Sequence, residues 1–176
     1  MGGAGLSLQD GSALLIFYGW WYNIQECDIT PVRPADRRYI MVEHKTLIRV
    51  IYADTDAMGV VYHTNYIKWF EVGRCELLRS IGYPYARLEE EGILLPVAEC
   101  GCKYKLPAVY DDVLEITARM AEMKGATITL EYEIRRQATG ELLVTGFTKH
   151  AVTDPKFKPI RLRDRSRGLY ECLLKG

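Results

Sequence analysis

The sequence predicts an α+β domain in which an antiparallel sheet wraps one long apolar helix. Three observations lead there. The apolar period is helical from about Asn65 to Ile81, four extended segments follow without another long helix, and the third of these, Ala126 to Arg135, alternates between apolar and polar residues. An apolar helix and a sheet with one apolar face must bury those surfaces against each other. At 176 residues the chain is long enough for one domain with its own core and short for two.

The elements read in order as follows. Residues 1–40 are unlike the rest: Gly-rich at first, then apolar from Ala13 to Tyr22, then marked by Pro31, Pro34 and the basic pair Arg37-Arg38. The apolar stretch is about half of the roughly 20 residues needed to cross a bilayer. It has no cationic lead and no small-residue cleavage site, so it does not read as a secretory signal. Residues 1–40 are read as an N-terminal extension outside the catalytic unit, with Met41 as the natural start of a domain over 41–176. The competing expectation is a packed accessory segment, since Trp20, Trp21 and Tyr22 are unfavourable in water.

Thr46 to Ala53 is rich in β-branched residues and reads as a strand that ends at the polar Asp54-Thr55-Asp56. In the long helix, Tyr66, Trp69, Phe70, Gly73, Leu77, Leu78 and Ile81 share one broad face, with Lys68, Arg74 and Arg79 elsewhere. Gly82 and Pro84 stop it. A shorter helical piece, Tyr85 to Glu91, ends at Gly92, and Pro96 to Lys105 supplies the next strand. Lys124-Gly125 and Thr139-Gly140 are turns that link Asp112 to Met123, Ala126 to Arg135 and Leu142 to Thr153 as three consecutive strands. Arg163 to Leu174 reads as a short terminal helix.

Lys plus Arg balances Asp plus Glu at 23 each. No global field gathers nucleic acid or an anionic membrane, so any anionic ligand needs a local patch. Five irregularly spaced cysteines do not form a disulfide framework and point to a reducing, cytoplasmic setting. Cys100-Gly-Cys102 has no second Cys pair or His cluster nearby in sequence to complete a metal site. Both thiols are expected as small buried residues of a strand. His44 and His150 have no pattern around them and read as surface or sheet positions.

The densest polar segment, Tyr52 to Tyr66, lies between the first strand and the long helix. Free N–H groups and the dipole at a helix start attract negative charge. A carboxylate beside them is the minimum equipment for acyl transfer. Asp-Thr-Asp before a helix is equally ordinary loop and capping chemistry, so the residues alone leave both readings open.

The run Tyr52-Ala53-Asp54-Thr55-Asp56-Ala57-Met58-Gly59-Val60-Val61-Tyr62-His63, with Asn65-Tyr66 and Phe70-Glu71, resembles the signature of hotdog-fold thioesterases related to 4-hydroxybenzoyl-CoA thioesterase, and within them the YbgC-like branch. Tyr104-Lys105-Leu106-Pro107-Ala108, Asp111 to Ile116, Thr153-Asp154-Pro155 and Lys158-Pro159 extend the likeness, which covers about Lys45 to Leu162. The resemblance implies a hotdog fold and hydrolysis of an acyl-CoA thioester without a cofactor or metal. It also implies a homodimer or homotetramer with sites at subunit interfaces. Acyl carrier protein is the other possible acyl donor, and a non-catalytic acyl-CoA or acyl-carrier binding module is the alternative function. By position the resemblance makes Asp56 the catalytic carboxylate, as nucleophile or general base, with Asp54 supporting it. The main-chain N–H of His63 polarises the substrate carbonyl, and the His63 ring is a substrate-contact candidate. Gly59, Val60, Val61, Tyr62 and Tyr66 are substrate-binding candidates, though core packing is also open to the aromatics. Glu71, on the long helix, is the alternative carboxylate, with a solvated helix glutamate as its plainer reading. Lys103, Lys105, Lys156 and Lys158 are available to CoA phosphates and are also explained as ordinary surface charge.

Overall fold

The computed structural model describes residues 42–174. The expectations for residues 1–40 and for Met41 as a start lie outside the described residues. The strands are β1 (Glu43–Arg49), β2 (Val97–Tyr104), β3 (Val113–Lys124), β4 (Thr127–Arg136) and β5 (Leu142–Ala151). The helices are α1 (Thr64–Ser80), α2 (Tyr85–Glu90), α3 (Leu162–Arg165) and α4 (Arg167–Leu174). All strands lie in one sheet of order β1-β3-β4-β5-β2, and every pairing is antiparallel. The chain leaves β1 at one edge, passes through α1 and α2, reaches β2 at the other edge, and fills the gap with the meander β3-β4-β5.

Period-two patterning sets which face is buried. Leu114, Ile116, Ala118 and Met120 of β3 and Ile128, Leu130, Tyr132 and Ile134 of β4 are buried on the face that α1 covers. The opposite face carries cross-strand ion pairs such as Lys45–Glu115 at 2.8 Å and Arg119–Glu131 at 2.6 Å, which favour the register without adding much stability. The apolar stripe of α1 is buried through Tyr66, Trp69, Phe70, Leu77 and Leu78. Gly73 lets the helix approach the sheet closely, since a Cβ there would lie 2.9 Å from Ile116 Cγ2.

Four expectations need correction. The strand expected to run to Ala53 ends at Arg49, and Tyr52–Asp54 is a single 3-10 turn. There the Asp54 carboxylate accepts the Ile51 N–H at 3.0 Å, and this local bond wins over the extended preference of Ile51 and Tyr52. The terminal helix is interrupted at Ser166, giving α3 and α4. Cys100 is exposed and Cys102 half-buried. They face the helix side, opposite Thr148 and Gly146, but on the edge strand β2, beyond the strands that α1 packs against.

Arg74 was expected away from the apolar face and is instead buried. Position 74 lies four residues after Phe70 and four before Leu78, so helical geometry places it on their stripe whatever its charge. Its Nη1 sits 2.9 Å from His150 Nε2 and 3.2 Å from Nδ1. His150 is a sheet position, fully buried on β5. Its Nδ1 lies 3.0 Å from the Leu95 carbonyl, which can only accept, so the proton is assigned to Nδ1. Nε2 is then free to accept from Thr148 Oγ1 at 2.8 Å, and Thr148 accepts from the Tyr132 hydroxyl at 2.7 Å.

Burial first, and then the Arg74 charge, holds the His150 imidazole down to about 4 from its ordinary 6.5. As pH falls between those values the unfolded chain takes up a proton that the folded chain refuses. The His150 contribution to stability is therefore full above about pH 6.5 and lost progressively down to about pH 4, by an amount on the order of 2–3 kcal/mol. Denaturant titrations at about pH 7 and about pH 4.5 are expected to show this loss, and His150→Gln to flatten it. An acid limb unchanged by that substitution would assign it to other groups.

Candidate active site

The loop between β1 and α1 is folded back on itself by main-chain bonds. The Asp56 N–H donates to Val60 O and the Gly59 N–H to Asp56 O, both at 2.9 Å, while Thr55 and Val61 form an isolated antiparallel bridge. Gly59 closes the turn at φ +75°, in the left-handed region that glycine adopts without strain. Asp54 is committed to structure. Besides the bond of its carboxylate to Ile51, its carbonyl accepts the Tyr62 N–H at 2.9 Å and the Asn65 Nδ2 at 2.8 Å.

Asp56 is half-buried, and its Oδ1 accepts the Met58 N–H at 2.8 Å. Its Oδ2 has no hydrogen-bond partner among the described residues, leaving one acceptor-only oxygen unspent. His63 is the N-cap of α1 and gives the helix no side-chain cap, and the first turn contains no acidic residue. The His63 N–H likewise donates to no acceptor among the described residues. An unpaired amide at the positive end of a helix of this length attracts an oxygen that is gaining negative charge.

The ring of His63 is exposed and not part of a relay: it lies 4.5 Å from the Tyr62 ring and 6.4 Å from that of Tyr104. Tyr104 donates its hydroxyl to the His63 carbonyl at 3.0 Å, and desolvation, the largest of several influences, raises its pKa. That phenol stays protonated and keeps donating. Tyr62 is 46% exposed, Val60 half-buried and Gly59 exposed, so these three reach the surface of the loop. Val61 and Tyr66 are buried: the Val61 N–H donates to Ala108 O at 2.9 Å, and the Tyr66 hydroxyl accepts the Ala108 N–H at 3.1 Å. They shape the loop from beneath. Glu71 is exposed on α1 and makes no ion pair or hydrogen bond among the described residues.

Three supports have no role in the sequence reading. Asn65, buried at the start of α1, ties the helix to Asp54 and accepts from Lys68 Nζ at 3.0 Å. Tyr104 reaches in from β2, which no local pattern reveals. Asp112 accepts the Val109 N–H at 2.9 Å and pairs with Arg136 Nε at 3.1 Å, while Arg136 Nη2 donates to Pro107 O at 2.9 Å. This clamp holds the segment that presents Ala108 to the site loop. Around it, Tyr52, Met58, Tyr62, Tyr104, Val109 and Tyr110 leave apolar surface exposed, a concentration that marks a binding or contact surface. Among the described residues, no three His, Cys, Asp or Glu side chains are grouped so as to hold a metal ion.

Residues 50–162 match the thioesterase-like superfamily. The chain is 38% identical over 120 residues to the YneP protein of Bacillus subtilis (strain 168), covering 68% of this chain and 86% of that one. It is 37% identical over 115 residues to the acyl-CoA thioesterase YbgC of Haemophilus influenzae, covering 64% and 83%. Among solved structures, the DHNA-CoA thioesterase from Staphylococcus aureus superposes with a TM-score of 0.71 at 34% identity, covering 75% of this chain and 89% of that one.

Proposed function

Because the chain belongs to the thioesterase-like superfamily, we propose that it hydrolyses acyl-CoA thioesters with Asp56 as the catalytic carboxylate and the His63 amide as the carbonyl-polarising donor. It is a thioester hydrolase, and its fold is the hotdog arrangement of a sheet wrapped on one helix. The observation that carries the mechanism is the pairing, in one short folded loop, of a carboxylate with an unspent oxygen and a helix-start amide with an unspent N–H. The acyl carbonyl oxygen accepts from His63, which makes the carbon electrophilic. Asp56 then attacks that carbon, giving a mixed anhydride that water hydrolyses once CoA has left, or takes a proton from a water that attacks the carbon itself. The C–S bond breaks, and CoA leaves as a thiolate that needs no strong general acid.

Gly59, Val60 and Tyr62 contact the acyl or pantetheine part, with Val61 and Tyr66 holding them in place. Glu71 is left as a solvated residue in this reading. Exposed Lys103, Lys105, Lys156 and Lys158 are the cations open to the CoA phosphates. A homo-oligomer follows from the same reading: β2 is an edge strand with Val97 54% and Tyr104 48% exposed, and Tyr104 also touches the site, so a second copy seated there completes it. Free thiols at Cys75, Cys100, Cys102 and Cys172 support a cytoplasmic setting. No helix among the described residues is long and apolar enough to cross a membrane.

Thiol release from short-chain, long-chain and aromatic acyl-CoAs is the direct test. Acyl-CoA binding without thiol release would instead make the chain a binding module. A second expectation separates shape from stability. Gly59→Val places a β-branched residue at φ +75° and is expected to remove about 1–2 kcal/mol of stability. Turnover measured well below the melting temperature is expected to fall further than that loss accounts for, because the turn sets the position of Asp56. Unchanged turnover in a folded variant would detach the turn from the chemistry.

A further inference from the structure

Arg74 is 8% exposed, and the arginines that do carry carboxylate partners lie nearer the surface. Arg136 pairs with Asp112 and Glu141, and Arg119 with Glu131. Arg74 has no carboxylate partner among the described residues. Its Nη1 lies against the His150 ring, and the Tyr85 ring lies 5.9 Å from the guanidinium carbon. Nε is fully buried without an acceptor, and Nη2 makes no hydrogen bond among the described residues.

A buried cation without a counter-charge is unfavourable, and so is a buried N–H without an acceptor. Both deficits fall on the same edge of the guanidinium. Nε and Nη2 point their N–H bonds in parallel, the spacing that a planar carboxylate fills with two charge-assisted hydrogen bonds. The groups beside it, His150, Thr148, Tyr132 and Tyr85, bring no negative charge to compete. We propose that the Nε/Nη2 edge of Arg74 is a binding site for the carboxylate of a small organic acid, separate from the Asp56 loop.

Arg74 lies eleven residues along α1 from His63, about 16 Å at the rise of a helix. The carboxyl formed at the scissile carbon therefore does not reach it in place. The ligand is either a free organic acid or the second carboxylate of an acyl group that carries one at its far end. The latter source rests on the acyl-CoA reading, and the former does not.

The test uses the full chain. In the wild type, the Arg74 Nε–H resonance, assigned by its loss in Arg74→Lys, is followed while acetate or glutarate is added, with chloride matching the ionic strength. A saturable shift with the acids and none with chloride is expected. Hydrolysis of tetradecanedioyl-CoA, whose far carboxylate is long enough to span the distance from His63 to Arg74, and of tetradecanoyl-CoA, which lacks it, identifies the source. If the acyl group supplies the carboxylate, Arg74→Lys lowers the tetradecanedioyl over tetradecanoyl ratio of kcat/KM by about tenfold, because lysine keeps the charge and loses the fork. If a free acid supplies it, the ratio stays put while the titration remains saturable. No saturable shift together with an unmoved ratio overturns the proposal. Should Arg74→Lys fail to fold, the wild-type titration against chloride still decides binding. Should the chain release no thiol at all, that titration stands independently of the catalytic reading.

Discussion

Asp56→Asn is expected to lower acyl-CoA turnover by about 10²- to 10⁴-fold while leaving the fold and substrate binding nearly unchanged. Asparagine matches aspartate in shape, and its side-chain oxygen can still accept the Met58 N–H, so the turn that Asp56 anchors keeps its main bonds. What disappears is the negative charge on the oxygen without a partner, the one feature that can attack a carbonyl carbon or take a proton from water. Asp54→Asn is the control, because the two acids are close neighbours of identical chemistry. There the side chain caps Ile51, while it is the main-chain carbonyl that holds Tyr62 and Asn65. Less than about a tenfold loss is expected from this variant, consistent with losing a single capping bond. The two variants are compared by steady-state thiol release on a common substrate. Near-normal turnover of Asp56→Asn, or an equal loss in both, would remove Asp56 from the chemistry. Single turnover in heavy-oxygen water then bears on the role: label in the Asp56 carboxylate identifies that side chain as the nucleophile, because a water activated by a general base carries its oxygen into the released acid.

How much of this was legible in the sequence depends on the range of the force involved. The α1 helix and the alternation of β4 follow from local periodicity, and both lie within a residue or two of where the pattern puts them. The sheet order does not follow from it, since β2 pairs with β5 rather than with β3, the next strand in sequence, and nothing local records that partnership. The site is intermediate. Asp56, Gly59 and His63 stand in one short segment, so a motif can carry them. Their supports at Tyr104, Ala108, Asp112 and Arg136 arrive from distant positions through the β2-to-β3 connection and β4. Arg74 illustrates a conflict between two legible signals, in which charge pointed outward and helical period pointed inward, and the period won because His150 and Tyr85 receive the guanidinium.

The position of α1 on the sheet, on which the His63 amide depends, is set by a contact that can be tested from both sides. Phe70 is fully buried, stacks on Tyr132 at 4.5 Å between ring centres and 13° between planes, and occupies the space that a side chain at Gly146 would need. Phe70→Ala is expected to remove about 3–5 kcal/mol of unfolding free energy, the range for deleting a fully buried aromatic. Gly146→Ala acts in the opposite sense. Its new Cβ would run into the Phe70 ring and lie 2.7 Å from the Gly101 carbonyl, so overpacking is expected to remove about 1–3 kcal/mol. The two losses are not expected to add. In the double variant the methyl at 146 enters part of the space that the ring has left, so the combined loss should fall short of the sum by about 1 kcal/mol or more. Denaturant titrations of the four proteins give that coupling directly, with unchanged slopes as the sign of a common unfolding transition. Additive losses would mean that the ring and Gly146 do not share this space. The close seating of α1, and with it the placement of its first turn, would then need another cause.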